Sequence, residues 1–521
     1  MTVASRFDEF LRLTLPPLPV TSKIYQPIQI GFVLAVGLAI AWLPPLMTGL
    51  LFGIAIFLML LLRWPILALY GLIPLIPFSG LLAVSVGGVR LGLMEILLAG
   101  GLLAALLRRS VQGHLPADKP VPKQFLWTFV LLLGSVGLSW LNTLSIGASL
   151  VETTKWIEMA ALYLFGLAFL SNRQLKWVVI TILLTGCAQA LFGLYQFIFK
   201  VGPPGFLLFG GLFLRAYGTF GQPNPYAGYL GLILPLALAL LIWQFTKLWP
   251  LIRGGEFKEL RQNIGGLLLA CLPFGLLLAG LFASQSRGAW LAFAAAAATT
   301  VLVSSRKPGL WLAVLIAGGA TIGLAGAFDW NFDRGESAPA ESAVGVVTQR
   351  FVEAATIATI TDISTIEVTD ANFATLERLA HWQAAREMWR DHPWLGVGFG
   401  NYAVIYPTYA VGRWLDPLGH AHNYLLNLGA EAGLIGIIGY AIFWIYIFRV
   451  TWYTIQRNKG FNRAVIIGCL GALVHLHIHN LFDNLYVQGM YLHLAILLTL
   501  VSLSSHPDQP STQVGTVFEK I

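Results

Sequence analysis

The apolar residues of this chain fall in long unbroken runs, not in the short alternations of a water-soluble fold. A membrane-spanning helix needs about 20 consecutive apolar residues, within a range of roughly 17–25. Candidate runs centre on residues 29–45, 46–62, 66–84, 91–107, 124–141, 156–171, 177–199, 225–243, 265–283, 288–303, 310–327, 423–448, 464–481 and 487–503. The first two are divided only by Leu43-Pro44-Pro45 and can be read as one hairpin, so the pattern predicts an all-α polytopic membrane protein with about 12–14 transmembrane helices. One long polar stretch interrupts the runs. Within it Leu376, Leu379, Trp382, Ala385 and Trp389 recur at helical spacing, with Glu377, Arg378, Arg386 and Arg390 between them, which predicts a helix packed on one face. His392-Pro393 ends that helix, and Leu395 to Asn401 is a glycine-punctuated turn. The stretch 333–345, rich in Ala, Ser, Glu and Gly, reads as mobile. The organisation that follows is an N-terminal segment (1–28), an N-terminal bundle (29–328), a large loop (329–422), C-terminal transmembrane helices (423–503) and a tail (504–521).

Charge orients this layout. Basic residues cluster after every second span: Arg63; Arg108, Arg109, Lys119 and Lys123; Arg173 and Lys176; Lys247, Arg253, Lys258 and Arg261; Arg306 and Lys307; Arg449, Arg457, Lys459 and Arg463. By the positive-inside rule both termini are cytoplasmic and the large loop lies outside. From Asp329 to Gly419 that loop holds twelve acidic residues, six arginines and no lysine, whereas the rest of the chain has 26 basic and 12 acidic residues. The net charge of +8 is therefore membrane topology and does not indicate nucleic-acid binding. Apolar residues are 57% and charged residues 11% of the chain, against about 25% charged in soluble proteins. Met1 to Gln26 is polar and proline-bearing, unlike a cleavable signal sequence. Cys187, Cys271 and Cys469 all lie in apolar runs, as small core residues, with neither a disulfide framework nor a metal-ligand spacing.

Candidate chemistry gathers on the loop side. Arg215 precedes Pro223-Asn224-Pro225, where the prolines suit a helix start and Asn224 suits a cap. Ser284-Gln285-Ser286-Arg287-Gly288 is a tight turn between spans. His420-Ala421-His422-Asn423 marks the junction of the polar loop with a new apolar run, and Asn423 and Glu431 cap and brace that span. His479 to Asn484 joins the last two spans. Guanidinium groups fit phosphate bidentately and stay charged when half-buried. An imidazole beside them can take a proton from a hydroxyl near neutral pH. Two other readings of the histidines stand beside this one. His475, His479 and Asp483 have a spacing that could bind zinc, although a hydrogen-bonded network fits the same residues, with Asp483 able to orient a histidine. His381 and His392 read as helix-surface and turn residues, and Glu95, Lys155 and Glu158 as structural pairs between helices.

In order along the chain, Arg215…Gly218…Asn224, Ser286-Arg287-Gly288, His392-Pro393-Trp394-Leu395-Gly396-Val397-Gly398 and His422-Asn423-Tyr424-Leu425…Glu431-Ala432-Gly433-Leu434-Ile435-Gly436 resemble the O-antigen ligase and O-antigen polymerase superfamily. The resemblance implies a fold like the C-type membrane glycosyltransferases and a multi-pass location in the cytoplasmic (inner) membrane, with the large loop periplasmic. It implies a metal-independent glycosyltransferase without cofactor. The partners it implies are a polyprenyl-pyrophosphate-linked glycan as donor, a lipid or glycan hydroxyl as acceptor, and membrane lipid. Carried over, Arg215 and Arg287 hold the pyrophosphate and His422 is the base, with His420 sharing that role. Some related proteins are described as bicarbonate transporters, so a small-anion transporter or transport accessory is the alternative. That reading expects discontinuous helices and paired ionisable groups at mid-bilayer.

Overall fold

The computed structural model describes residues 45–81, 83–86, 89–112, 121–208, 211, 213–304, 366, 368 and 372–505. The expected spans at 29–45 and 310–327, the stretch 333–345, the segment 1–28 and nearly all of the tail lie outside the described residues. Each remaining run forms a helix. These are α1 (Pro45–Arg63), α2 (Ile66–Leu75), α3 (Leu93–Gln112), α4 (Lys123–Leu138), α5 (Ile146–Phe169), α6 (Asn172–Phe199), α7 (Pro223–Gly254), α8 (Phe257–Ala283), α9 (Arg287–Ser304), α12 (Tyr424–Arg457), α13 (Gly460–His479) and α14 (Met490–Ser505). The long loop contributes α10 (Phe373–Asp391) and α11 (Tyr402–Tyr409). Two antiparallel ribbons interrupt the helices: β1 (Ala83–Val86) with β2 (Val89–Gly92), and β3 (Leu207–Leu208) with β4 (Phe213–Leu214).

Seven of the described helical stretches are long and apolar enough to cross a membrane, or eight if the end of α1 and α2, which meet at 119°, form one broken span. Two of the expected 12–14 spans lie outside the described residues, and among the helices that fall outside this length and composition α5 carries Glu152, Lys155 and Glu158 and α14 has only 16 residues. The chain is an all-α, multi-pass membrane protein. At its centre stands α7, buried along nearly its whole apolar length and packed against α13, α8 and α9. Cys469 is buried, but Cys271 is exposed on α8, so the expected core role does not extend to it.

The feature that positions the rest is a break in α12. The helix starts where Asn423 caps it, its Oδ1 accepting the Leu426 N–H at 3.1 Å. Ten residues later Gly433 leaves the helical region, at φ 62° and ψ −163°. A break strands N–H and C=O groups that the helix would have paired, and each such group costs several kcal/mol where water is scarce. Here the Pro393–Gly398 backbone supplies partners for four of these groups. The Val397 and Gly398 N–H groups donate to the Ala430 and Glu431 carbonyls at 2.8 and 3.0 Å. The Leu434 and Ile435 N–H groups donate to the Pro393 and Trp394 carbonyls at 2.8 and 3.2 Å. The approach is so close that a Cβ on Gly433 would lie 2.3 Å from the Trp394 carbonyl carbon, and one on Gly396 would lie 2.3 Å from that of Glu431. The Glu431 carboxylate also accepts the Tyr402 N–H at 2.9 Å, so this buried acid ties α11 to α12. The loop is thereby stitched into the bundle, and α10 packs along α12.

Gly433→Ala is expected to destabilise the folded protein by more than about 3 kcal/mol, since it combines a backbone region reserved for glycine with a clash against backbone. Gly265→Ala, in α8 with open space around its Cα, is the control and leaves the thermal midpoint unchanged or slightly raised. Thermal unfolding of both variants in one detergent checks this; equal midpoints would contradict the clasp.

Candidate functional site

The turn after α13 is the floor of the site. The helix ends at His479, and the Phe482 and Asp483 N–H groups bond back to the His479 carbonyl at 2.8 and 3.0 Å. The Asn480 carbonyl accepts the Tyr424 N–H at 2.7 Å, which fixes the turn to the start of α12. Asp483 Oδ1 accepts the Asn484 N–H at 2.8 Å and faces two imidazoles, with His422 Nδ1 at 3.5 Å and His420 Nε2 at 3.7 Å. Asp483 is buried, whereas both histidines keep 18% of their side-chain surface.

Backbone geometry sets the roles of the two imidazoles. His422 adopts the left-handed conformation (φ 51°), a strained state for a residue with a side chain. It is held there by the cap of α12 below and by the Trp382 indole, which donates to the His422 carbonyl at 3.3 Å. The His422 N–H donates to His420 Nδ1 at 3.1 Å, so neutral His420 carries its proton on Nε2, towards Asp483. Both ring nitrogens of His422 are buried without a hydrogen bond among the described residues, but Nδ1 lies beside the carboxylate at 3.5 Å, which leaves Nε2 as the free face of the ring.

Burial pushes the His420 imidazole down to about 4, although Asp483 pulls the other way, so His420 is neutral at neutral pH. Burial raises Asp483, but the approach of His422 and the fields of His420, His422 and His479 outweigh it and hold the carboxyl well below its usual range. The loop helix α10 roofs these groups. His381 Nδ1 lies 2.8 Å from the Tyr402 hydroxyl, and its ring lies 5.8 Å from that of His422. Burial, then His422, lower His381 to about 4. Burial raises the neighbouring Glu377, with His422 opposing it. His381 is thus a core residue, 1% exposed, and not the helix-surface residue the sequence led us to expect.

The arginines approach the same turn. Arg215 follows the β3–β4 ribbon, its N–H extending the ladder to the Phe206 carbonyl at 2.9 Å. Its guanidinium donates to the Ser284 carbonyl at 3.1 Å and to Asn224 Oδ1 at 3.0 Å. Asn224 therefore holds Arg215 instead of capping α7; the cap position is Gln222. Arg287, half-buried, opens α9 three residues after Ser284. A Cβ on the next residue, Gly288, would lie 3.0 Å from Phe482 Cβ and 3.6 Å from His479 Cδ2. The structure thus joins His420, His422 and Asp483 directly, and Arg215, Asn224 and the 284–286 turn directly. It links the two sets where the start of α9 meets the His479–Asp483 turn. Asn423 and Glu431 act behind the site as cap and brace.

His420, His422 and Asp483 also offer three ligand atoms within 4.8 Å of one another, a donor set a divalent cation can use. The tautomer opposes this, because ligation through His420 Nε2 requires the His422 N–H bond to Nδ1 to be given up. The expected grouping of His475 and His479 with Asp483 is also altered. Asp483 turns to the two loop histidines, while the His475 nitrogens have no partner among the described residues. Sequence reasoning missed three residues here: His381, Glu377 and Arg378. The helical spacing places 378, 381 and 382 on one face of α10, which was the available signal.

His420 and His381 stay neutral in the fold, with values near 4 against 6.5 unfolded. Between pH 6.5 and 4 the unfolded chain binds more protons, so stability falls as pH falls through that window. Glu377, raised in the fold, has the opposite sign and offsets part of the loss. The thermal midpoint in detergent is expected to drop by several degrees between pH 7 and 5, and less in His420→Asn. A midpoint independent of pH across that range would contradict the buried neutral imidazoles.

No curated protein matches the chain. Residues 272–441 match the family model described as "Wzy_C: O-Antigen ligase". The matched segment includes Arg287, all of α10, His420, His422, Asn423 and Glu431, and stops before Asp483; Arg215 and Asn224 precede it. Over residues 272–441, about a third of the chain, the protein is therefore similar to the O-antigen ligase family, and the match supports that superfamily.

Proposed function

We propose that this protein, whose matched domain supports a glycan-processing membrane protein of the O-antigen ligase/polymerase type, transfers a glycan from a polyprenyl-pyrophosphate carrier to a hydroxyl acceptor on the periplasmic face of the inner membrane. The observation that carries this reading is the His422 ring, with Nδ1 turned to Asp483 and Nε2 enclosed and unpartnered. An imidazole with one nitrogen against a carboxylate presents a lone pair on the other, the arrangement of a general base. In the proposed step His422 Nε2 takes the acceptor O–H proton. The acceptor oxygen bonds to the anomeric carbon, and the bond from that carbon to the diphosphate oxygen breaks, its electron pair leaving with the polyprenyl diphosphate. Arg215 and Arg287 hold the diphosphate, and Asn224 aims Arg215. Asp483 keeps His422 in its tautomer, and His420 accepts the His422 backbone N–H. Attack opposite the leaving group inverts the anomeric centre. The donor bond supplies the driving force, so the step calls on neither nucleotide nor metal.

The transporter alternative expects a discontinuous helix, and α12 is one. Two carbonyls and two N–H groups at its broken ends are bonded to Pro393–Gly398, however, so the break seats the loop on the bundle, which supports transfer over transport.

Purified protein is expected to transfer labelled lipid-linked glycan, with a loss of about 10²–10⁴-fold in His422→Ala and a comparable or smaller loss in Arg215→Ala and Arg287→Ala. Chelator leaves the rate unchanged. Full activity in the His422 and arginine variants would remove these roles. Loss on chelation, restored by a divalent cation, would assign His420, His422 and Asp483 to a metal. Anion uptake by proteoliposomes lacking any glycan would support the transporter.

A further inference from the structure

We infer that the groove between α12 and α13, at the end of α12 away from His422, binds an anionic phospholipid whose headgroup meets Arg449. This site is separate from the one above and does not rest on the transfer reading. A cavity of about 500 Å³ opens there, lined by Phe448, Arg449, Trp452, Tyr453 and Gln456 of α12 and by Leu470 of α13. It lies beyond the matched residues 272–441. Ile438, Ile442, Ile445, Arg449, Trp452 and Gln456 are all exposed and recur every three or four residues, so they form one stripe down α12. The stripe is apolar over its first three positions and turns polar at Arg449. From Leu434 to Arg457 the helix rises about 36 Å, at roughly 1.5 Å per residue. A hydrocarbon core about 30 Å thick therefore ends near Trp452 and Tyr453, aromatic residues of the kind that sit at a headgroup boundary. Acyl chains then run along the isoleucines, and the headgroup lies level with the reach of the Arg449 side chain.

Charge selects the lipid. Arg449 is exposed, and it has no ion pair or hydrogen bond among the described residues. No carboxylate lines the cavity. Between Glu431 and Asp483 the chain carries Arg449, Arg457, Lys459 and Arg463 and no acidic residue. Arg463 is engaged elsewhere, its guanidinium donating to the Val303 carbonyl at 3.1 Å. A guanidinium in apolar surroundings calls for a charged acceptor with several oxygens, which a phosphodiester provides. A phospholipid brings that group to the right depth with its chains already in the bilayer, and a basic pocket between spans suits a headgroup of net negative charge. A zwitterionic headgroup fits less well, because its own cation competes with Arg449 for the phosphate. Gln456, one turn beyond Trp452 on the same stripe, adds a neutral amide donor.

The test is native mass spectrometry of the full-length protein released from phosphatidylcholine nanodiscs with increasing phosphatidylglycerol, read beside the thermal midpoint. The parent is expected to retain phosphatidylglycerol in preference to phosphatidylcholine. Its midpoint rises with the phosphatidylglycerol fraction, as for any ligand that binds only the folded state. Arg449→Ala is expected to weaken that retention about tenfold, the order of a lost charge-assisted hydrogen bond, and to flatten the rise. Its midpoint in phosphatidylcholine alone stays near the parent's, and Arg449→Lys recovers part of the loss. Arg457→Ala removes the same charge from the same helix end but does not line the cavity, and leaves retention near the parent's. Equal retention of both lipids by the parent, or unchanged retention in Arg449→Ala, would overturn the inference. Equal losses in Arg449→Ala and Arg457→Ala would also overturn it, since they mark diffuse attraction to the whole basic end. A dimer that carries no phosphatidylglycerol would assign the groove to a second copy of the chain and overturn it likewise.

Discussion

A helix that stops and restarts inside a membrane protein must find partners for the backbone groups it leaves open, and in this chain Pro393–Gly398 provides them. Four hydrogen bonds close the break in α12 on both sides of Gly433. They make an otherwise peripheral loop part of the bundle. Because α10 ends at Asp391, immediately before the inserted segment, closing the break also fixes the helix that roofs His422. The precision of the site therefore derives from backbone bonding in a poorly hydrated setting, where an unmade bond is expensive, rather than from the loop's own small cores of packed side chains.

With the loop so placed, the electrostatics of the site follow. Burial keeps His420 and His381 neutral, and Asp483 is the acid that His420 and His422 face. The imidazoles consequently serve as hydrogen-bonding and proton-accepting groups, and the fixed positive charge comes from arginine. Guanidiniums remain charged in a half-buried place where an imidazole gives up its proton. On the proposed transfer reading, neutral rings would face the acceptor and permanent cations the donor, which suits a reaction in which a hydroxyl loses a proton while a diphosphate gains charge.

Much of this was legible in the sequence, for physical reasons. Long apolar runs report helices directly, and every expected run inside the described residues became one. Asn423 as a cap and His392-Pro393 as a helix stop depend on local backbone chemistry alone, and both are found. What could not be read depends on pairing across distance. The run containing Gly433 looks like one uninterrupted span, because the segment that fills its break lies 33–41 residues earlier, a spacing taken from the bonded positions. Asn224 has the right chemistry for a cap, but Arg215, nine residues away, claims its oxygen. Asp483 was recognisable as an orienting acid, whereas its partners, more than sixty residues upstream, were not settled by spacing. Arg378 reads as one polar residue among several on an amphipathic helix until the fold turns that face inward.

The central claim is that one diphosphate fits between the arginines and the His422 ring. The measurement that tests it most directly is a structure of the full-length protein in nanodiscs with a polyprenyl-diphosphate sugar bound. The account predicts diphosphate oxygens within hydrogen-bonding reach of both Arg215 and Arg287, with the anomeric carbon on the His422 side. A diphosphate bound away from those guanidiniums, or an anomeric carbon that His422 and an acceptor oxygen could not reach together, would contradict it.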